Sequence, residues 1–271
     1  MGPTRYSDLN EVLAALVDGA RAALGADLVG AYLGGSFALG DADEHSDVDF
    51  VVITSDEITD AQLEALQWRH ARLYELEPPW AQHLEGSYVP LERFRRLDPS
   101  RTQFWFLDNG ARELVRDDHC NTAVTRWVLR AHGVTLVGPP PASLVEPVSA
   151  DELRREAVVT MRVYAEWAPE PTKTGDMSQW KQPYLVLTCC RLLATLALGK
   201  VVSKCAAAEW AAAAALDPEW RDLIERAQED RPDPWGRVRR SAEPALAQRT
   251  LAFVDYALQK TKGPLRGPSV Q

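Results

Sequence analysis

The chain has 271 residues, of which 46% are hydrophobic and 25% charged, a composition typical of a folded, water-soluble protein with one large or two small domains. Its net charge of −9 argues against a nucleic-acid partner, because proteins that hold a nucleic-acid backbone usually present a basic face. The four cysteines show no CxxC spacing, and no stretch is apolar enough for a leader or a membrane span, so we expect a cytoplasmic protein with free thiols and no membrane partner.

In the first half of the chain, predicted strands alternate with predicted helices. Short apolar runs bounded by polar residues predict strands over 28–33, 48–54, 82–91 and 134–137. Apolar residues at helical spacing predict helices over 8–24, 59–75 and 122–132. The helix over 59–75 has Thr59 or Asp60 as its cap. Residues 102–115 predict a hairpin that turns at Asp108-Asn109-Gly110.

The composition changes at "GPPPASLVEPVSADELRRE", residues 138–156. Its prolines indicate a linker, and Ser149 followed by Glu152 is a capping signal for a new helix. Beyond the linker, helices are predicted over 150–167, 180–199, 203–215, 217–229 and 241–260. We therefore predict an α/β domain with a mixed sheet and flanking helices over 1–148, and an all-α helical bundle over 149–262. Residues 263–271 are expected to form a flexible tail.

The stretch "GGSFALGDADEHSDVDFVVIT", residues 34–54, carries residues suited to chemistry. Side chains alternate along a strand, so Asp47 and Asp49 should point the same way while Val48 faces the core. Two adjacent carboxylates repel each other, and a hard divalent cation would offset that repulsion. Magnesium prefers one or two carboxylates together with substrate phosphates, so a nucleotide should complete its shell. Gly34-Gly35-Ser36 fits this, because glycines let the backbone approach a phosphate closely.

Other phosphate-binding motifs do not fit this loop. It lacks the Lys-Ser/Thr ending of a P-loop and the GxGxxG spacing of a dinucleotide site. The structural alternative is that Asp47 caps a turn and Asp49 ends a strand in solvent. That alternative explains a bare DxD, but it does not explain the preceding GGS.

The pattern GGS-x(9)-SDVDFVVI resembles the GS…DxD signature of the DNA polymerase β-like nucleotidyltransferase superfamily. The segments "LEGSYVPLE", "FLDNGARELV", "WVLRAHGVTLVGPPP" and "CCRLLATLALGKVVSKCAAAEWA" resemble one branch, the aminoglycoside (streptomycin/spectinomycin) adenylyltransferases. The resemblance covers nearly the whole chain, about residues 10–260. The DxD motif is specific for the class of reaction, and the other segments indicate the branch.

The resemblance implies a magnesium-dependent transfer of AMP from ATP to a substrate hydroxyl. It implies that Asp47 and Asp49 hold magnesium against the triphosphate. Glu85, the one carboxylate of its strand, would act as general base or as a third metal ligand. On local sequence alone, Glu85 reads equally as an exposed glutamate at a strand edge.

The resemblance also assigns nucleotide-binding residues. Gly35, Ser36 and Ser46 belong to the loop and strand start that hold the nucleotide. Arg191 lies within an apolar helix, where an unpaired guanidinium is costly, so it needs an anionic partner. Lys204 occupies the family's phosphate-contacting position. The structural alternatives are a buried salt bridge for Arg191 and a solvated helix start for Lys204, and we expect the helical domain to close over the nucleotide.

The acceptor is predicted to be a small antibiotic of the aminoglycoside or spectinomycin type, bound by a monomer. A polycation needs carboxylates and aromatic faces, and we place those at Glu166, Trp167, Asp176 and Trp180. Lys181 stands where an acidic residue is expected. If it were directed at the drug it would repel a cation, which favours spectinomycin over the more highly charged streptomycin.

Three alternatives remain open. The first is a nucleotidyltransferase that modifies a protein or RNA, as in toxin–antitoxin systems, although such enzymes are typically shorter and lack the helical domain. The second is a catalytically silent ATP-binding relative, against which the intact set of Ser36, Asp47, Asp49 and Glu85 weighs. The third is a helical scaffold, which leaves the acidic strand unexplained.

Overall fold

The computed structural model describes residues 2–173, 175–231 and 234–263. The chain divides into two compact units, the first ending at Val148 and the second beginning at Ser149. The first unit is an α/β fold and the second is helical, so the predicted fold class is confirmed. Of the predicted tail over 263–271, all but Gly263 lies outside the described residues.

The first unit combines a six-stranded mixed sheet with helices on its two faces. In chain order, its elements are α1 (Ser7–Leu24), β1 (Leu28–Leu33), α2 (Gly35–Leu39), β2 (Val48–Thr54), α3 (Asp60–Tyr74), β3 (Leu84–Pro90), α4 (Leu91–Phe94), β4 (Phe104–Leu107), β5 (Leu114–Asp117), α5 (Ala123–His132) and β6 (Val134–Val137). The strand order is β5-β4-β3-β2-β1-β6. Only the pairing of β2 with β3 is parallel; the other neighbouring strands pair antiparallel.

Alternating side chains of the sheet supply two separate cores. On one face, Leu33, Val48 and Phe50 pack with the apolar side chains of α1 and α3. On the other face, Val51 and Ile53 pack with residues of α4, β4 and α5. The central strand β2 is therefore covered on both sides, which holds its amino end in a fixed position between β1 and β3.

The second unit is organised around one apolar helix. Its elements are α6 (Ala150–Trp167), α7 (Lys181–Leu198), α8 (Lys204–Trp210), α9 (Arg221–Glu229), α10 (Pro234–Arg237) and α11 (Pro244–Lys260). Helix α7 is buried almost all round and packs against α6, α8, α9 and α11. A helix that is apolar on every side belongs at the centre of a bundle, and its burial gives this unit its core.

Most predicted boundaries are confirmed within a few residues, because capping residues mark them. Thr59 caps α3 and forms a capping box with Gln62, and Ser149 does the same for α6 with Glu152. The hairpin turns at Asp108 as predicted, where Ala111 N donates to Asp108 O at 2.9 Å.

Three details differ from the sequence expectation. The link between β1 and β2 contains the single-turn helix α2, which is too short to show a periodic pattern. The helix predicted over 203–215 ends as α-helix at Trp210 and continues as a π-helical segment over Ala211–Ala215. The hairpin's second strand runs on to Asp117. Among the described residues, no helix combines the length and apolarity that a membrane crossing requires.

Candidate functional site

Three carboxylates gather at the amino ends of two neighbouring strands. Asp47 immediately precedes β2, Asp49 is its second residue, and Glu85 is the second residue of β3. The parallel register pairs Asp49 directly with Glu85. Val48 between the two aspartates is fully buried, whereas all three carboxylates belong to half-buried residues. The strand alternation thus puts the acidic side chains on the face away from Val48.

The backbone at Gly35 lies directly against the carboxylate of Asp49. A Cβ built on Gly35 would stand 1.7 Å from Asp49 Oδ2, and the residue adopts a φ of +48°. The neighbouring Gly34 N donates to the backbone oxygen of Asp49 at 2.9 Å, which ties the loop to β2. Only glycine fits at position 35, because a side chain there would be both strained and in collision.

The turn between β4 and β5 reaches the first aspartate. Asn109 Nδ2 donates to Asp47 Oδ1 at 2.6 Å. On its other side, Asn109 Oδ1 lies 3.2 Å from His83 Nδ1. Burial lowers the pKa of His83, and the hydrogen bond with Asn109 opposes that effect. The amide of Asn109 therefore links the loop before β3 to the carboxylate before β2.

His119 lies beside the carboxylate of Glu85. Its Nε2 is 3.1 Å from Glu85 Oε1, and the glutamate side chain is 17% exposed while that of the histidine is 59% exposed. The imidazole also stacks on Phe106, with ring centroids 5.0 Å apart. The hydrogen bond to Glu85 raises the pKa of His119 above its usual range, against the opposing effect of burial. The imidazole of His119 is therefore a proton donor to Glu85, the predicted base.

The two predicted serines differ in their surroundings. Ser36, in α2, makes no side-chain hydrogen bond within the part of the chain that the structure describes, so its hydroxyl can serve a ligand. Ser46 is buried, and its Oγ donates to Asp43 Oδ1 at 3.1 Å and accepts from Asp43 N at 3.0 Å. Ser46 therefore shapes the turn that leads into Asp47.

The donor set suits a hard divalent cation. The candidate ligand atoms are carboxylate oxygens. Because Gly35 has no Cβ, the loop backbone can lie against Asp49. No group of three acidic, histidine or cysteine side chains among residues 2–173, 175–231 and 234–263 is already drawn together as a metal centre. Asp47 is hydrogen bonded by Asn109 and Glu85 by His119. The acidic residues thus fit magnesium as partial ligands, a pattern typical of this ion, which keeps water and phosphate in its shell.

In the second unit, predicted ligand residues form an aromatic cluster around Tyr184. The rings of Trp180 and Tyr184 stack with centroids 4.9 Å apart, and Trp167 meets Tyr184 edge-on at 6.1 Å. Tyr164 Oη lies 2.6 Å from Tyr184 Oη. Lys204 Nζ lies 4.7 Å from the centre of the Tyr184 ring, a cation–π contact. The structure therefore brings together Trp167, Trp180 and Lys204.

The side chain of Lys181 is directed into the protein. The residue is 1% exposed, and its Nζ donates to Trp167 O at 2.8 Å and to Glu170 O at 2.7 Å. Burial lowers its pKa, while the charge of Glu170 opposes this. The ammonium also contacts the Trp167 ring at 4.2 Å. The condition for the expected repulsion, a Lys181 side chain directed at the substrate, is therefore not met, because the ammonium donates to carbonyl groups near the end of α6.

The remaining predicted residues of the second unit, Arg191, Glu166 and Asp176, are joined to one another by no described contact. Arg191 is half-buried on α7, and within the described ranges its guanidinium makes no hydrogen bond or ion pair. The predicted anionic partner is thus not a described residue of the protein itself. Glu166 on α6 and Asp176 in the loop before α7 are exposed. No described contact joins either acid to the aromatic cluster.

Sequence profiles identify both units. Residues 20–103 match the profile of the nucleotidyltransferase domain, and residues 143–258 match that of the aminoglycoside adenylyltransferase C-terminal domain. The chain is a nucleotidyltransferase of the aminoglycoside adenylyltransferase family. The first profile spans Asp47, Asp49 and Glu85, so the acidic strand ends lie within the nucleotidyltransferase domain.

The fold of this adenylyltransferase-family chain is similar to a solved structure. Spectinomycin adenyltransferase AAD(9) from Enterococcus faecialis, whose crystal structure contains ATP and spectinomycin, superposes with a TM-score of 0.68 at 16% sequence identity. The match covers 92% of this chain and 98% of that one. At this identity the likeness establishes the two-unit architecture. None of the curated protein sequences matches the chain significantly.

Sequence reasoning missed two residues that the structure places at these sites. Asn109 was identified only as part of a turn, and Tyr184 was not singled out. For Asn109 no local signal exists, because its partner Asp47 is 62 positions away. For Tyr184, a signal was present in its helical spacing of four residues from Trp180, which places both rings on one side at the start of α7.

Proposed function

We propose that this enzyme transfers AMP from ATP, with magnesium, to a hydroxyl group of an aminoglycoside or spectinomycin-type antibiotic. The observation that carries the proposal is the pairing of Asp49 with Glu85 across parallel strands, with Asp47 alongside and the glycine loop against Asp49. These side chains would supply acidic ligands and a candidate base at the amino ends of β2 and β3. A phosphate-approaching loop borders the same strand ends.

Asp47 and Asp49 would hold the magnesium ion, and Glu85 would lie beside them as the third carboxylate. The bound ion would neutralise charge on the triphosphate and orient it for in-line displacement. The chain's own contribution is to keep the carboxylates in place: β2 is covered on both faces, and Gly34 N binds the Asp49 backbone. Ser36, Gly35 and the hydrogen-bonded turn at Ser46 border the space where phosphates would lie.

Glu85 is proposed as the general base. It would take the proton from the acceptor hydroxyl as that oxygen forms a bond to the α-phosphorus, and the bond to the pyrophosphate oxygen breaks. The products are the adenylylated acceptor and pyrophosphate. Because His119 hydrogen bonds to Glu85, it would hold the carboxylate in one orientation.

The second unit is proposed to supply positive charge for the nucleotide. Arg191 has a guanidinium without a partner among the described residues, and a phosphate would satisfy it. Lys204 begins α8, close to Tyr184. The ammonium of Lys204 beside the Tyr184 ring would suit an anionic phosphate better than a polycationic drug.

For the acceptor, the structure removes the argument against streptomycin. Lys181 donates to backbone carbonyls, so its ammonium is directed into the protein and not at an acceptor. The structurally similar adenyltransferase binds ATP and spectinomycin, which supports an acceptor of that type. We therefore propose spectinomycin and streptomycin as the first acceptors to test, with Glu166 and Asp176 as exposed carboxylates available to a cation.

The deciding experiment measures pyrophosphate release with ATP and Mg²⁺ across a panel of aminoglycosides and spectinomycin. Mass spectrometry of each drug then looks for the mass of one added adenylyl group. Asp47→Asn and Asp49→Asn should abolish transfer and leave the fold intact, since the metal loses an anionic ligand while carboxylate repulsion is relieved. Activity within tenfold of the parent in either variant would overturn the two-aspartate assignment.

The other outcomes separate the remaining functions. If the protein binds ATP but modifies no drug, the proposed antibiotic acceptor is wrong and a protein or RNA acceptor is favoured. ATP binding without pyrophosphate release from any acceptor would indicate a silent relative. A scaffold would show no thermal shift with ATP and Mg²⁺ together.

A further inference from the structure

We propose that Asn109 is a positioning residue that fixes the carboxylate of Asp47 for metal binding. The inference rests on the proposed function, because it concerns how one of the proposed magnesium ligands is oriented. It adds a residue that lies on neither β2 nor β3. Its evidence is the set of contacts around the β4–β5 turn.

The turn that carries Asn109 is held by its own hydrogen bonds. Ala111 N donates to Asp108 O at 2.9 Å, and Asn109 N donates to Asp108 Oδ1 at 3.0 Å. Gly110 adopts a φ of +78°, which the tight reversal requires and glycine accommodates. The backbone conformation at Asn109 is thus fixed by the turn itself, independently of the contacts of its side chain.

The side-chain amide is oriented from both ends. Nδ2 donates to Asp47 Oδ1 at 2.6 Å, while Oδ1 lies 3.2 Å from His83 Nδ1. An amide oxygen only accepts, and its nitrogen only donates. A flipped amide would turn its oxygen towards the Asp47 carboxylate and its donor towards His83, so the observed orientation is the favourable one.

His83 is itself tied to the strand that begins after Asp47. Val48 N donates to His83 O at 2.9 Å. His83, Asn109 and Asp47 therefore form a closed set of contacts around the start of β2. One carboxylate oxygen is held by the amide, which limits rotation of the group and fixes the directions of its remaining lone pairs.

Residues that orient metal ligands typically change metal affinity or activity by about 10–100-fold when replaced. The test uses Asn109→Ala and Asn109→Leu, the latter close to asparagine in size but without the donor. Affinity for Mn²⁺ is measured by electron paramagnetic resonance in the presence of a non-hydrolysable ATP analogue. The Mg²⁺ concentration that gives half-maximal transfer is measured in parallel.

Both variants should weaken Mn²⁺ binding and raise the Mg²⁺ requirement by about 10-fold or more, and excess Mg²⁺ should restore most of the rate. Their melting temperatures should stay close to the parent's. The matched control is Arg112→Ala on the same turn, whose guanidinium pairs with Glu75 at the surface; its metal dependence should equal the parent's. A structural role alone would lower stability without shifting the metal requirement.

Mn²⁺ affinity within twofold of the parent in both folded variants would overturn the positioning role. If the parent binds Mn²⁺ with the analogue but modifies no drug, the proposed acceptor fails, while the effect of Asn109 on that binding still decides this inference. If the parent binds no Mn²⁺ under these conditions, the inference fails along with the proposed metal dependence.

Discussion

Gly35 and Asp49 approach so closely that the smallest side chain at position 35 would collide with the carboxylate. The added Cβ would lie 1.7 Å from Asp49 Oδ2, and φ at Gly35 is +48°. Gly35→Ala should therefore displace either the loop or Asp49. A displacement of about 1 Å at a reacting centre can cost about 10²-fold in rate, so we predict a loss of adenylyl transfer of that order, measured as pyrophosphate release.

Two neighbouring glycines provide the controls for this variant. At Gly34 an added Cβ would meet Asp49 Cβ at an ordinary 3.8 Å, and Gly40 has a φ of +74° but open space around it. Gly34→Ala should keep most of the activity. Gly40→Ala should lower stability by about 1 kcal/mol through backbone strain without a large loss of turnover. Equal losses in Gly35→Ala and Gly40→Ala would show that strain alone matters.

The second prediction concerns the proposed base. Glu85→Gln keeps the size of the side chain but cannot accept the hydroxyl proton, so turnover should fall by about 10²–10⁴-fold while ATP affinity stays near the parent value. Calorimetric titration with ATP and Mg²⁺ measures binding, and pyrophosphate release measures turnover. Glu113→Gln, exposed on the hairpin, is the control. A collapse of ATP affinity with turnover retained would make Glu85 chiefly a ligand.

Much of this site follows from sequence, since the features concerned are local. The strand alternation that separates Asp47 and Asp49 from Val48 depends on adjacent residues, and the caps at Thr59 and Ser149 depend on a partner three positions away. Such features need no knowledge of the tertiary fold.

Other features depend on contacts between distant segments. The bond from Asn109 to Asp47 needs β3 and β4 to pair in one register, which local patterns do not determine. Lys181 shows the same limit, because its charge at a helix start gave no indication that the carbonyl groups of Trp167 and Glu170 would bind it. The hydrogen-bond partners of Asn109 and Lys181 therefore depend on the tertiary fold.

The third prediction concerns a buried histidine in the first unit. His70 Nε2 lies 2.8 Å from Tyr88 Oη, and burial lowers the pKa of His70 to about 4. The unfolded chain takes up this proton near pH 6.5, so the native state binds fewer protons than the unfolded state between those values. The free energy of unfolding should therefore keep its full value above about pH 6.5 and decrease as the pH drops towards 4.

The size of that effect can be measured. Between a pKa of about 4 in the folded state and 6.5 in the unfolded state, His70 should lower the free energy of unfolding at pH 5 by about 2 kcal/mol. Denaturant unfolding at pH 5 and pH 7.5 measures the difference for the parent and for His70→Gln, in which this part of the pH dependence should vanish. A His70 NMR resonance that titrates near pH 6.5 in the folded protein would contradict the prediction.

The fourth prediction concerns Lys181. Its ammonium donates to two backbone oxygens near the end of α6. Lys181→Met keeps the apolar length but removes both bonds, and the loss of hydrogen bonds made by a charged group should cost about 1.5–3 kcal/mol. Thermal unfolding should show a lower melting temperature, whereas Lys200→Met, at an exposed position, should show none. An unchanged melting temperature in Lys181→Met would mean that water replaces the ammonium without cost.

The last prediction uses the contrast between Lys181 and Arg191, two cations on the same helix α7. Lys181 is bound by the protein, while the half-buried guanidinium of Arg191 has no hydrogen-bond or ion-pair partner among the described residues. Arg191→Met should therefore leave the melting temperature within a few degrees of the parent. It should weaken ATP binding by about 10–100-fold, the loss of one charge-assisted contact to phosphate. Arg191→Lys should recover part of the affinity, because the charge remains while the planar fork is lost. Calorimetric titration of the three proteins with ATP decides: a large drop in stability with unchanged ATP affinity would make Arg191 a structural residue.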